Sequence, residues 1–189
     1  DTKWVRTEID RFIRSRQEIA GVTPNKNASP RTLIRRAYFD LIGLPPSPVA
    51  VAKFVTASKQ NPEEAYKKLI DELLASQHYG ERWARHWMDV ARYAESHGYE
   101  QDYDRPNAYP YRDFLIRALN ADLPYDQFLR WQIAGDELAP SNPLAVTATG
   151  FLGAGAFPTQ LTESEFERAR YDELDDMVAT MGVTFLGLS

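Results

Sequence analysis

Residues 85–104 read RHWMDVARYAESHGYEQDYD, and these twenty positions hold two of the chain's three histidines, five carboxylates and three tyrosines. Side chains of these types can ligate a metal, exchange protons or grip a polar ligand. On a continuous helix of about 100° per residue, His86, Tyr93 and His97 fall on one flank, with Asp89 close by. The two histidines cannot share one ion along such a helix, because eleven residues at about 1.5 Å rise separate them by roughly 16 Å. Nor do they have the four-residue spacing and intervening glutamate of a helical zinc motif. A second possibility lies around Gly98, where the helix is expected to end. There His97, Glu100, Asp102 and Asp104 could hold a cation such as calcium, although the twelve-residue calcium-loop pattern is absent. The competing reading is a solvated, hydrogen-bonded acidic turn.

A polar cleft is the other chemistry these residues suggest. Arg92, Tyr93, Tyr111 and Arg112 could line a pocket for an anion or a sugar, with His86 and Asp89 converging on it. Arg92 beside Asp89, and Arg112 beside Asp113, could equally be ion pairs that set helix packing. Glu81, Arg85, Asp89 and Arg92 have the spacing of a helical charge ladder. Trp83 and Trp87 are expected in the core, since large aromatics dominate core burial. His86 alone reads as a buried histidine donating to a carboxylate or carbonyl. Asp136 and Glu137 form a carboxylate pair at a helix end, which becomes acid–base machinery only inside a cleft that perturbs it.

The motifs of several large catalytic classes are missing. No G-x-S-x-G, P-loop or G-x-G-x-x-G occurs, and GFLGAGAF at 150–157 follows an alanine-rich helical stretch rather than a strand. Those glycines read as a flexible link or a close helix contact. The chain has no cysteine, so thiolate metal sites, thiol nucleophiles and covalently attached haem have no residues here. A net charge of −5, with basic residues scattered among acidic ones, argues against a nucleic-acid partner. No apolar run approaches the roughly 18 residues of a membrane span.

The elements that must position these groups are helical throughout. WVRTEIDRFIRSRQEIAG sets Trp4, Ile9, Phe12, Ile13 and Ile19 along one side and ends at Gly21, so residues 1–28 read as a helical arm and linker. Ser29-Pro30 and Ser47-Pro48 open helices, the first ending near Gly43 and the second expected through Phe54. Asn61-Pro62 opens a third, with Tyr66, Leu69, Ile70, Leu73 and Leu74 as its buried stripe. A helix from about Tyr79 carries the tryptophans. YPYRDFLIRALNADLPYDQFLRWQIAGD reads as two helices broken at Leu123-Pro124, with Gly135 closing the second. Thr162 and Glu165 have capping-box spacing for the last helix, whose stripe runs through Phe166, Leu174, Val178, Met181, Phe185 and Leu188. The expected fold is all-α: one irregular bundle of about seven to nine helices with Pro-rich connections, spanning residues 1–189. The apolar, uncapped GVTFLGLS suggests that the parent chain continues beyond it.

Four phrases together resemble one family: RTLIRRAYFDLIGLPPSP, LLASQHYGERWARHWMDVARYAESHGYEQD, YRDFLIRALNADLPYDQFLRWQIAGDEL and the terminal TFLGLS. They are similar to the cytochrome C-associated domain of unknown function found in large exported proteins of planctomycetes and related bacteria. The resemblance implies a periplasmic or cell-envelope location and a multidomain parent. In that family the segment matching FLGL runs into a Cys-x-x-Cys-His stretch, which implies c-type haem or a metal in the adjoining part of the parent and no cofactor in this segment. His86, Asp89, Arg92, Tyr93, Asp102, Tyr111, Arg112 and Asp136 match recurring polar positions of the family, as do Asn120, Asp126 and Gln132. The expected role is a non-catalytic helical support module in an exported redox protein, with neighbouring domains of the same parent as its partners. The alternatives are an enzyme domain whose cleft takes a polysaccharide or another polar substrate, and a protein-interaction module.

Overall fold

The computed structural model describes residues 5–99 and 101–188, and places nine α-helices within them. Four of them begin where a short polar side chain meets a proline. Helix α1 (Glu8–Ile19) opens on a reciprocal capping box between Thr7 and Asp10. Ser29, Ser47 and Asn61 then cap α2 (Pro30–Leu41), α3 (Pro48–Gln60) and α4 (Pro62–Leu74), each with proline in the first helical position. Helix α5 (Gln77–Val90) starts at Ser76. Helices α6 (Tyr109–Asn120) and α7 (Tyr125–Leu138) flank Leu123-Pro124, and α8 (Pro143–Ala148) runs into a 3₁₀ turn, Thr149–Phe151. Helix α9 (Phe166–Leu186) is the longest. Among the described residues the sole extended pairing is an isolated bridge between Ser96 and Asp104, so the fold is all-α as expected. No described helix is long and apolar enough to cross a membrane.

Several boundaries differ from the sequence reading. Helix α3 continues six residues beyond Phe54, since nothing before Asn61 breaks it. Helix α7 passes through Gly135, distorted at Ala134 instead of stopping. Thr162 does not cap α9. The Glu165 carboxylate accepts from the Thr162 backbone N–H at 2.9 Å and its hydroxyl at 2.6 Å, closing a separate turn, and the helix begins at Phe166.

The most consequential difference is the end of α5. It stops at Val90, well before Gly98, in a Schellman turn in which the Tyr93 N–H reaches Met88 O (2.9 Å) and the Arg92 N–H reaches Asp89 O (3.2 Å). The left-handed position of that turn, usually glycine, is held by Arg92 at φ 58°. A β-carbon there costs about 1 kcal/mol. His86, Tyr93 and His97 therefore do not share a helix flank.

Two apolar clusters form the interior. Ile34, Phe54, Leu69 and Leu73 join α2, α3 and α4. Tyr111, Phe114, Leu115, Phe128 and Phe151 join α6, α7 and the 3₁₀ turn. Helix α5 links them, with Tyr79 packed on the first and Ala84 buried in the second. Close crossings rest on glycine. A β-carbon on Gly80 would strike the Ile116 carbonyl, and one on Gly135 would strike the Ala145 carbonyl. Gln132, fully buried, ties the second cluster together: its Oε1 accepts from Trp87 Nε1 (2.7 Å) and the Tyr111 hydroxyl (2.8 Å), and its Nε2 donates to Phe128 O (3.1 Å).

The two ends of the chain are less embedded. Helix α1 buries no residue and leaves Ile9, Phe12, Ile13 and Ile19 exposed. Of the α9 side chains Thr180 is buried, although Phe185 stacks on Phe151 (5.1 Å between centroids) and Met181 packs on the same cluster.

Candidate functional site

With α5 ended at Val90, residues 91–99 and 101–108 supply a folded segment whose side chains help to define the concave surface. Its backbone is pinned from two sides. The His97 N–H donates to Tyr103 O (2.9 Å), the Arg105 N–H to Glu95 O (2.7 Å), and the Phe157 N–H to His97 O (3.2 Å). Arg105 then clamps the turn to the glycine-rich link: Nη1 donates to Gly153 O and Ala154 O (3.3 Å each) and Nη2 to Gly155 O (2.7 Å). Its Nε donates to His97 Nδ1 at 3.2 Å. This contact makes Nδ1 an acceptor and assigns the ring proton of neutral His97 to Nε2.

His97 stands where two clefts meet. A cleft of about 640 Å³ lies between residues 96–99, the 154–161 link and the first half of α9. One of about 560 Å³ lies between His97, Arg105, Tyr93, Tyr111 and Gly150. The first has an apolar floor, including Phe157 and Leu161, and charged walls, including Arg92, Arg168, Asp172 and Asp176. Arg92 reaches across to pair with Asp176 over Gly155, where a β-carbon would come within 2.7 Å of Asp176 Oδ2 and 3.0 Å of Arg92 Nη1. The second cleft is flanked by a tilted pair of rings, Tyr93 and Tyr111, 6.1 Å apart. Gly150 lets the backbone approach Tyr111, its position lying 2.7 Å from Tyr111 Cβ when a β-carbon is added.

Most of the expected polar cleft disperses. His86 and Asp89 lie exposed on the outer side of α5, His86 edge-on to Trp83 at 5.5 Å, so His86 is not the buried histidine its surroundings in sequence suggested. Trp83 is 40% exposed, packed beside Tyr79 and His86, and of the two tryptophans Trp87, one turn on, packs on the second cluster. The charge ladder does not form: Glu81 pairs with His78 (2.7 Å) and Arg92 with Asp176. Arg112 pairs through Nη1 with Glu95 at 2.6 Å and through Nε with Asp113 at 3.4 Å, and the Tyr93 hydroxyl donates to the same Glu95 oxygen at 3.2 Å. Burial and this carboxylate push the Tyr93 phenol up to about 12. Tyr111 points into the core, and its burial raises its phenol as well. Asp136 is exposed at the end of α7. Arg92 and His97 thus share the larger cleft, and Tyr93, Tyr111 and His97 the smaller.

The acidic turn uses its own side chains. Asp102 accepts from the Gly98 N–H (2.9 Å), and hydrogen bonds from Ser96 and Gly98 hold its carboxyl below the usual range. Asp104 pairs through its backbone with Ser96, and Glu100 lies outside the described residues. Among the described residues no three His, Asp or Glu side chains are placed to hold a metal. Asn120 has a structural task, accepting from the Gly80 N–H (2.8 Å) and donating to Gln77 O (2.9 Å), whereas Asp126 meets only Arg130, at 3.9 Å on the surface. Arg105, Gly155 and Asp176 were not legible as a group: their partners lie about fifty to eighty positions away, as the Arg105–Gly155 and Arg92–Asp176 contacts show.

Residues 8–189 match the PSCyt2 family, described as a protein of unknown function (DUF1549). No curated protein and no solved structure matches the chain. A match across nearly the whole length, through every helix and both walls of the clefts, means that this chain belongs to the PSCyt2 family.

Proposed function

We propose that the chain is a non-catalytic helical support module of an exported, cytochrome-associated multidomain protein. Its partner is a neighbouring segment of the same parent, one that carries c-type haem or a metal. The observation that carries this reading is the state of α9. Leu174 is 45% exposed and Val178 64%, with Tyr171 and Leu186 also exposed, whereas Met181 and Phe185, farther along the same stripe as Leu174 and Val178, rest on the core. A helix that leaves an apolar stripe in water gains by covering it. A segment docked there would extend the stripe that reaches Phe185, on which Trp87 stacks at 6.3 Å. Support for the non-catalytic part is that His86, Asp89, Arg92, Tyr93 and Arg112 do not surround one concavity but serve internal pairs or face solvent.

The test is to produce the chain joined to whatever follows Ser189 in its gene, in a host that matures c-type haem. The visible spectrum and hydrogen exchange are then compared with those of the chain alone. The reading expects a Soret band and about tenfold slower exchange across 171–186, with little change in α2–α4. The combination Leu174→Asp with Val178→Asp should remove that protection. A Soret band without protection of α9 would place the haem elsewhere, and a longer protein without haem or metal would overturn the redox role.

A further inference from the structure

We infer that α9 is a lid over the larger cleft, anchored at its C-terminal half and held shut at its middle by the Arg92–Asp176 pair. Three independent features point to this. The first is the asymmetry of burial along the helix: Thr180, Met181 and Phe185 rest on the core, whereas the turns from Phe166 to Asp172 contribute no buried residue. Those free turns form one wall of the cleft, through Glu165, Arg168, Ala169 and Asp172.

The second is the backbone of Arg92. An arginine occupies the left-handed position of the α5 terminus, where glycine would be unstrained. That conformation aims its guanidinium away from its own helix, to Asp176, 84 positions along the chain. The third is Gly155 beneath the pair. Its missing side chain is the space the two charged groups occupy, for a β-carbon would crowd both Asp176 Oδ2 and Arg92 Nη1. A surface ion pair alone contributes little. This one is partly shielded, with the side chains 31% and 46% exposed, and it is the charged contact between α9 and the turn that carries His97. Releasing it frees the first half of α9 to tilt about Thr180–Phe185, which widens the cleft beside His97. The lid does not depend on what docks against Leu174 and Val178.

Hydrogen exchange on the chain itself tests the latch, with α6 as the internal reference. Asp176→Asn removes the charge, and Gly155→Ala displaces the pair while keeping both charges. Arg92→Gly removes the pair while relieving the backbone strain, so it separates latching from stability. In all three, exchange across 166–176 should rise about fivefold or more while α6 stays unchanged. Arg92→Gly combined with Asp176→Asn should exchange no faster than either alone. Wild-type exchange in Asp176→Asn would overturn the latch, as would a rise shared equally by α6.

Discussion

At the scale of single residues, the chemistry-bearing side chains divide into those that hold the molecule and those left to face a cleft. Tyr111 belongs to the first group even though its type suggested a ligand contact. Its hydroxyl donates to Gln132 Oε1, an acceptor it shares with Trp87. Burial raises its phenol above the ordinary 10.0 and, with Glu95, lifts Tyr93 to about 12. The unfolded chain therefore releases these protons first as the pH passes 10. The contribution is complete below pH 10 and is lost as the pH climbs toward the folded values. Urea midpoints measured from pH 8 to 11 should fall above pH 10. Tyr111→Phe should flatten that fall while costing about 1 kcal/mol at neutral pH, one buried hydrogen bond. Part of this was within reach of local spacing, which offered an Arg112–Asp113 pair as the alternative to a polar pocket and a hydrogen-bonded acidic turn as the alternative to a cation site. Arg105 was not, because a guanidinium that serves three carbonyls around fifty residues away leaves no local pattern.

At the scale of elements, caps were the most dependable signal and stops the least. Ser-Pro and Asn-Pro mark the starts of α2, α3 and α4 because the side-chain acceptor and fixed proline φ act within one turn. The end of α5 was misread because a glycine, Gly98, stood downstream as the obvious terminator while Arg92 took the left-handed position. Crossings are set by glycines that sequence cannot distinguish from flexible ones. Gly135→Ala should cost about 3 kcal/mol, because the added carbon meets the Ala145 backbone and α7 and α8 must separate. Chemical denaturation would show it, and Gly182→Ala, with no atom within 4 Å, serves as the control that should not destabilise the fold.

At the scale of the whole molecule, two clusters bridged by α5 lie between two loosely embedded ends. Phe54 is buried in the first cluster and Phe12 lies exposed on α1. Phe54→Ala should therefore cost about 3–4 kcal/mol, whereas Phe12→Ser should change the unfolding free energy by less than about 0.5 kcal/mol. Equal effects would mean that α1 packs in solution against the body. The same contrast explains why α9 carries the functional proposal: its C-terminal half anchors it, its apolar stripe is uncovered at Leu174 and Val178, and its first turns wall a cleft.

What the amino-acid order settled alone was local: an all-α chain, the polar caps and prolines that start its helices, and the absence of cysteine chemistry. These follow from interactions within a turn or two, or from composition. Tertiary structure decided which side chains meet. Trp83 and Trp87 were both expected in the core, yet packing sets Trp87 partly buried against the second cluster and leaves Trp83 exposed. The histidine that faces both clefts is His97, outside any helix, because the Arg92 turn redirects the chain and Arg105 orients the ring. Contacts between residues so far apart depend on how whole helices stack, and that is a property of the assembled core rather than of any stretch within it.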